Sequence, residues 1–420
     1  MRLSADRLTA ARLLVRVEEG AFSSRLLAGG GEPAVRVRVL EVLRSMRALD
    51  AVLQTRCRRE LRKLDAEVRA ALRIGLAEAM GLDMPPELAT DGAVHLVRRL
   101  GKASASGMVN AVLRKATKGW RDTLAKSPID IQLSHPEWLH RRWVGHFGER
   151  AAEATMAAAQ EPSVTWVWFL EDEARIQLVD EEVVLEAHPW CLDSWSAPHN
   201  ASRLVEVVSQ GGAYAQDPSS QVVAHVAKSL SSVGQRVLDL CAAPGGKSAL
   251  MLQLGGWSRA AAADIRLKRV RLMRPLLEHA GDCTIVTADA SSAPFAPGGW
   301  DLVLLDAPCT GTGTFRRHPE LKWRLGPESI DELAAKQKEL FVAGMQLVAP
   351  GGAILYSTCS VEPEENEGVV ADLPEGFEIE NIEPHLCDGV PFIATTAGGI
   401  RILPNPDGDG FTMHAVRRVG

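Results

Sequence analysis

Two cysteines and one aspartate in this 420-residue chain stand at the ends of short apolar runs, where a sheet can present reactive groups. Ala353-Ile354-Leu355-Tyr356 reads as a buried strand, and Ser357-Thr358-Cys359-Ser360 carries a thiol off its end. Leu302-Val303-Leu304-Leu305 ends in Asp306-Ala307-Pro308-Cys309. Val237-Leu238-Asp239-Leu240 opens into Cys241-Ala242-Ala243-Pro244-Gly245-Gly246-Lys247-Ser248. Open α/β sheets bind ligands at the carboxyl ends of their strands, so these three ends would bring two thiols, a carboxylate and a glycine loop into one crevice. A single cysteine in such a place is more often a small buried hydrophobe. The coincidence of three strand ends argues for chemistry.

Gly245-Gly246-Lys247-Ser248 invites a phosphate-loop reading, but a Walker loop needs glycine five positions before Gly246, where Cys241 stands. The Gly-x-Gly-x-x-Gly dinucleotide pattern fails as well. A strand, a tight glycine turn and a helix start remain, whose backbone N–H groups suit a carboxylate or another small anion. One strand–helix unit on, Ala261-Ala262-Ala263-Asp264 ends in an acid placed to accept the hydroxyls of a ribose. Thr284-Ile285-Val286-Thr287-Ala288-Asp289 ends in another, suited to an adenine amino group. Each acid alone reads as a helix cap. Together they point to an adenosine cofactor without phosphates.

The elements that must position these groups change character along the chain. Residues 1–126 read as all-helical, with small and apolar residues at helical spacing through Val68, Ala71, Leu72, Gly75, Leu76 and Ala79 and a stop at Pro85-Pro86. Amphipathic segments through Val94, Val97 and Leu100, and through Met108, Val109, Val112 and Leu113, make this a compact bundle. Residues 127–211 hold a linker at Ser134-His135-Pro136, one helix from Glu137 to about Gln160, and a small α+β part. Core packing is the expected use of Trp166, Trp168, Trp190 and Trp195 there. From 212 to 420 strands alternate with helices, the mark of an α/β domain with a mainly parallel sheet and an antiparallel C-terminal strand. Strands are expected near 236–241, 260–264, 284–287, 301–306 and 353–357, with a final pair near 400–416.

The net charge of −6 hides an asymmetry: residues 1–126 carry 24 Lys+Arg against 14 Asp+Glu, and the remainder 23 against 39. A basic module joined to an acidic one suits a polyanionic partner for the first. A solvated arginine-rich surface accounts for the charge equally well. Seven cysteines, an odd number without a Cys-x-x-Cys pair, fit reduced thiols in the cytoplasm, with neither disulfides nor a metal site. Asp6, Arg7, Arg12, Arg16, Glu18 and Glu19 break up the start of the chain, so no signal peptide is expected. The longest apolar candidate, Leu340 to Tyr356, is interrupted by Gln346 and Pro350-Gly351-Gly352 and reads as helix, turn and strand, with no membrane span.

Several motifs together resemble bacterial rRNA cytosine-5 methyltransferases of the RsmB type. They are Gln216-Asp217-Pro218-Ser219-Ser220-Gln221, Asp239 to Ser248, Asp306 to Cys309, Arg316-Arg317-His318-Pro319-Glu320-Leu321-Lys322-Trp323, Tyr356 to Ser360 with Pro363-Glu364-Glu365-Asn366-Glu367, and Asp409-Gly410-Phe411. Val109-Asn110-Ala111-Val112-Leu113-Arg114 and Ser134-His135-Pro136-Glu137-Trp138 extend the resemblance over nearly the whole chain. It implies a NusB-like RNA-binding domain joined to a Rossmann-like domain that uses S-adenosyl-L-methionine. Position by position, it assigns Cys241, Ala242, Ala243, Pro244, Gly245, Gly246, Lys247, Asp264, Asp289 and Asp306 to the cofactor. Cys359 becomes the nucleophile and Cys309 serves product release. Where the family carries an Arg-Val-Asn-like strand, this chain has Trp166-Val167-Trp168-Phe169-Leu170.

The chemistry explains the thiol. Carbon-5 of cytosine is a poor nucleophile until a thiolate adds to carbon-6, and losing the carbon-5 proton and then the thiolate restores the ring. Lys247 is the candidate cation to favour that thiolate, with Asp306 assisting at the ring. Arg316, Arg317, Lys322 and Arg324, just past Cys309, are expected to meet RNA phosphates. The nucleophile of DNA enzymes resembles Cys309, so the presence of both motifs favours RNA. The resemblance implies an enzyme acting on 16S rRNA; a monomer without a metal is expected. A non-catalytic RNA-binding or ribosome-assembly factor, and a tRNA enzyme of the same chemistry, stay open as alternatives.

Overall fold

These patterns resolve into two compact units in the computed structural model, which describes residues 2–27, 32–232 and 234–420. One unit comprises Met1–Pro162 and Phe315–Arg324, the other Ser163–Thr314 and Leu325–Gly420.

The first unit is helical. Helices Arg2–Glu18, Pro33–Arg44, Met46–Gln54, Ala66–Gly81, Pro86–Arg99 and Ser106–Ala125 bury the apolar stripes laid out by the sequence, around Leu49, Val52, Leu72, Ile74, Leu96 and Leu113. Pro86 occupies the first turn of its helix, where a missing N–H has no partner to lose. Glu78, fully buried, ties three helices by charge: it accepts from Arg7 Nη2 at 2.7 Å and from Arg38 Nε at 2.6 Å. The single helix expected from Glu137 is two, Glu137–Phe147 and Glu149–Ala158, because Gly148 between them turns to φ +79°. Both belong to this compact unit, which runs to residue 162.

Phe315–Arg324 follows Cys309 in the chain yet packs among these helices. The expectation that Arg316, Arg317, Lys322 and Arg324 meet RNA phosphates is corrected for Lys322, which is 1% exposed. Phe315 is 1% exposed and stacks on Trp143, ring centres 6.0 Å apart. The last carbonyls of a helix have no partner inside it, and those of Pro33–Arg44 are met by this segment. Trp323 Nε1 donates to Leu43 O at 2.7 Å, and Lys322 Nζ donates to Arg44 O at 3.0 Å and Ser134 O at 2.9 Å. Burial, then the charge of Arg44, holds the Lys322 amine well below its ordinary pKa. Arg324 donates to Gly20 O at 3.2 Å and to Ala21 O. Arg316 is buried and Arg317 half-buried. Lys322 caps a helix.

The second unit opens with an antiparallel sheet of β1 (Val167–Phe169), β2 (Glu186–His188), β3 (Cys191–Ser196) and β4 (Ala213–Ala215), ordered β2-β3-β1-β4. Five parallel strands follow: β5 (Gln235–Asp239), β6 (Trp257–Asp264), β7 (Thr284–Thr287), β8 (Trp300–Asp306) and β9 (Val348–Thr358). With β10 (Phe377–Glu380), β11 (Ile393–Ala394), β12 (Ile400–Ile402) and β13 (Phe411–Arg418) the order is β11-β12-β13-β9-β8-β5-β6-β7, β10 pairing with β13. As expected, the C-terminal strand β13 runs antiparallel, against β9. Leu238, Val303, Leu304, Ile354 and Leu355 are fully buried, as parallel strands covered on both faces require. The chain moves from β5 outward to β7, then restarts at β8 on the other flank of β5. Ligand crevices of such sheets open at that reversal. No helix among the described residues is long and apolar enough to cross a membrane.

Phe315→Ala should lower the stability of the helical unit by about 3–5 kcal/mol, read as an earlier loss of helical circular dichroism in urea. An unmoved transition would mean that Phe315 is not seated among the helices.

Candidate active site

β8 and β9 run side by side in register, Asp306 opposite Ser357, so their exits carry the Pro308-Cys309 and Thr358-Cys359 loops together. Cys309 Sγ and Cys359 Sγ lie 3.3 Å apart, and all seven cysteines are unbridged. Its contact with Cys359, then burial, pushes the Cys309 thiol well above its ordinary pKa. That thiol therefore keeps its proton near neutral pH.

One carboxylate holds both loops. The sequence shows Glu365 only as a member of an acidic run, yet it is fully buried. Its Oε1 accepts from Thr310 N at 2.8 Å and Gln337 Nε2 at 3.0 Å. Its Oε2 accepts from Ser360 Oγ at 2.5 Å and from the Thr310 hydroxyl. Burial raises the Glu365 pKa, and these hydrogen bonds oppose the rise. Around it, Tyr356 donates its hydroxyl to Glu365 O at 2.5 Å, and Asn366 Nδ2 donates to Ser360 O at 3.1 Å. Gly313 N donates to Cys359 O at 3.0 Å, while Gly410 N donates to Gly313 O at 2.8 Å. A Cβ on Gly313 would stand 2.3 Å from Gly410 O, so this approach admits only glycine.

Lys247 and Asp306 meet across the reversal point. Lys247 Nζ lies 2.8 Å from Asp306 Oδ2 and 4.8 Å from the centre of the Phe411 ring, and Ser357 Oγ donates to Asp306 Oδ1 at 3.0 Å. The cation assigned to the thiolate is thus an ion-pair partner of the carboxylate. Phe411 and Ser357 are contributors that the sequence marks only as parts of longer motifs.

The remaining predicted positions gather at the ends of β5, β6 and β7. Ala242 N donates to Ala263 O at 2.8 Å, and burial pushes the Cys241 thiol up, as for a packing residue. After Ala243-Pro244, Gly245 takes φ +106° and Gly246 starts the helix Gly246–Leu254. Asp264 is buried; its Oδ1 accepts from Arg266 N at 2.9 Å and its Oδ2 lies 3.3 Å from Arg269 Nη1. Asp289 Oδ1 accepts from Ser291 N at 2.9 Å and Oγ at 2.8 Å, bonds that hold its pKa low. Both acids cap local backbone, and each carboxylate keeps lone pairs for further donors. Acceptors at the β6 and β7 ends suit a ribose diol and an adenine amino group. Helix N–H groups after β5 suit a carboxylate. The residues fit an adenosine cofactor that carries an amino-acid tail.

Residues 227–417 match the family described as 16S rRNA methyltransferase RsmB/F, and residues 4–118 match the NusB family. Ribosomal RNA small subunit methyltransferase B of Xanthomonas campestris pv. campestris is 31% identical over 86% of this chain and 86% of that protein. The protein of the same name in Sodalis glossinidius is 29% identical over 88% of this chain and 86% of its own. The crystal structure of PH0851 superposes with a TM-score of 0.76 over 98% of each chain at 22% identity. That of NSun6 from Pyrococcus horikoshii with SFG gives 0.57 over 68% of this chain and 98% of that one, at 19% identity. These structural likenesses concern the fold.

Beneath the glycine loop, Asp239 is buried, with Ser248 Oγ donating to its Oδ2 at 2.5 Å. Burial pushes its pKa up to about 7. A carboxyl raised in the fold stabilises the protein below its unfolded pKa of about 3.9 and loses that contribution as pH rises towards 7. Asp239→Asn cannot ionise, so from pH 5 to 7 it should lose less stability than the parent, by about 2–3 kcal/mol. Urea midpoints at both pH values measure this; equal losses would show that the carboxyl ionises as an exposed one does.

Proposed function

As the chain belongs to the RsmB/F family of 16S rRNA methyltransferases, we propose that it methylates carbon-5 of a cytosine in 16S rRNA through a covalent bond between Cys359 and the pyrimidine. The observation that carries this reading is the pair of thiols 3.3 Å apart on adjacent parallel strand ends. Methyl transfer to a nitrogen or a ribose hydroxyl needs no thiol. A ring carbon needs one group to activate it and another to help release the product.

The Cys359 thiolate adds to carbon-6 and drives electron density to carbon-5. S-adenosyl-L-methionine, when bound, supplies the sulfonium methyl that this carbon takes. Transfer of the carbon-5 proton to a water molecule returns the electron pair to the ring and expels the Cys359 sulfur as a thiolate. Cys309, which keeps its proton, is placed to give it to the departing thiolate. Asp306, held by Lys247 and Ser357, offers an acceptor beside the ring. The target base must leave its stack to reach these groups. The basic helical unit supplies affinity for RNA, which falls with salt.

Two sets of variants test this. Asp264→Ala should weaken S-adenosylhomocysteine binding by about 1.5–3 kcal/mol, a loss of ten- to a hundredfold, without changing the alkylation rate of Cys359. Calorimetry showing no change would make Asp264 a cap only. Cys359→Ala should neither methylate rRNA nor become linked to it. Cys309→Ala should let attack and methyl transfer occur, then stall, leaving a protein–RNA adduct that survives denaturing electrophoresis. An adduct trapped by Cys359→Ala instead would reverse the two roles, and full activity in both variants would exclude covalent catalysis.

A further inference from the structure

Lys247, Gln216 and Tyr214 meet at the start of helix Gly246–Leu254, and the first two are already engaged. Lys247 is paired with Asp306 at 2.8 Å. Gln216, whose Cδ would stand 3.3 Å from a Cβ on Gly246, uses both ends of its amide. Its Oε1 accepts from Trp168 Nε1 at 2.7 Å, and its Nε2 donates to Ser220 Oγ at 3.0 Å. Tyr214 comes closer still. A Cβ on Gly246 would stand 2.5 Å from its Cε1 and 3.1 Å from Cζ, the carbon that bears the hydroxyl. Glycine at this position lets the phenol lie against the first residue of the helix. The ring is set there by its strand, since Tyr214 on β4 stands opposite Trp168 on β1 with ring centres 5.8 Å apart.

Two sets of donors at this turn are left over. Among the described residues, the Tyr214 hydroxyl has no hydrogen-bond partner, and no side chain caps the helix. Burial raises the pKa of Tyr214, so the phenol keeps its proton near neutral pH and can donate it in a hydrogen bond. First-turn N–H groups of the helix donate as well. With the Lys247 ammonium already paired, these donors suit a small anion, and the cofactor's amino-acid tail ends in one. We propose that the Tyr214 hydroxyl donates to the carboxylate of that tail, which makes Tyr214 a cofactor-binding residue that favours ligands carrying the acid. The proposal rests on the reading of the cofactor as S-adenosyl-L-methionine. Tyr214 stands two residues before the Gln216 motif, outside every position that the resemblance assigns to the cofactor.

The test is calorimetry on the full chain with two ligands. S-adenosylhomocysteine carries the whole tail, whereas its decarboxylated analogue keeps the adenosine, the sulfur and the amine. Tyr214→Phe keeps the ring against Gly246 and removes only the hydroxyl. It should weaken S-adenosylhomocysteine binding by about tenfold or more, the loss of one hydrogen bond to a charged group. Its affinity for the decarboxylated analogue should equal that of the parent, which also shows that the pocket is intact. Equal weakening of both ligands would make Tyr214 a packing residue and overturn the proposal. Unchanged binding of both would overturn it as well, and weakening of the analogue alone would assign the hydroxyl to the amine. A parent that binds neither ligand would sink the cofactor reading itself, and the role of Tyr214 with it.

Discussion

The buried carboxylate of Glu365 binds the loop after β8 through Thr310 and the loop after β9 through Ser360, and the closeness of the two thiols follows from that. Neighbouring strands hold their backbones about 4.8 Å apart, but the loops that leave them are free to diverge. An amide N–H, two hydroxyls and a side-chain amide supply four donors to two oxygens, which matches the acceptor capacity of an ionised carboxylate. Isolated, such a buried charge would be expensive; ringed by donors, it locks the geometry. The network extends outward, since Ser360 Oγ also accepts from Glu362 N at 3.1 Å and Thr412 Oγ1 donates to Ser360 O at 2.9 Å.

Buried acids serve the two units in the same way. Glu78 gathers Arg7 and Arg38 within the helices, as Glu365 gathers hydroxyls and amides at the sheet. Cations divide more sharply. Lys247 is neutralised by Asp306, and Lys322 is enclosed by carbonyls, while the arginines after Gln54 face solvent. Charge counted along the chain says nothing of this difference.

Legibility followed range. The strands ending at Asp239, Asp264, Asp306 and Thr358 were readable because apolar runs bounded by turn residues are local signals, and the glycine turn at Gly245 was readable for the same reason. The break at Gly148 was less so, because a glycine within a helical pattern shows its left-handed geometry only in the fold. Lys322 and Arg324 read as solvated cations because their partners are carbonyls nearly 280 residues and more away in sequence, at Arg44 and at Gly20 and Ala21. Glu365 was hidden by its neighbours: four acids in a six-residue run look like solvated surface, and which of them turns inward is decided by Thr310 and Gln337 on other elements.

Phe315–Arg324 also sets an order of events during synthesis. The helices up to Ala158 emerge from the ribosome first, but the seat among them for Phe315, Lys322 and Trp323 stays unfilled until residue 324 has been made. At about 5–20 residues per second, that is a delay on the order of ten to thirty seconds. Through that interval the ends of Pro33–Arg44 and the Trp143 ring lack their final cover. The helical unit that begins the chain is finished by a segment of its own made late in the chain, so residues 1–162 alone lack part of their packing.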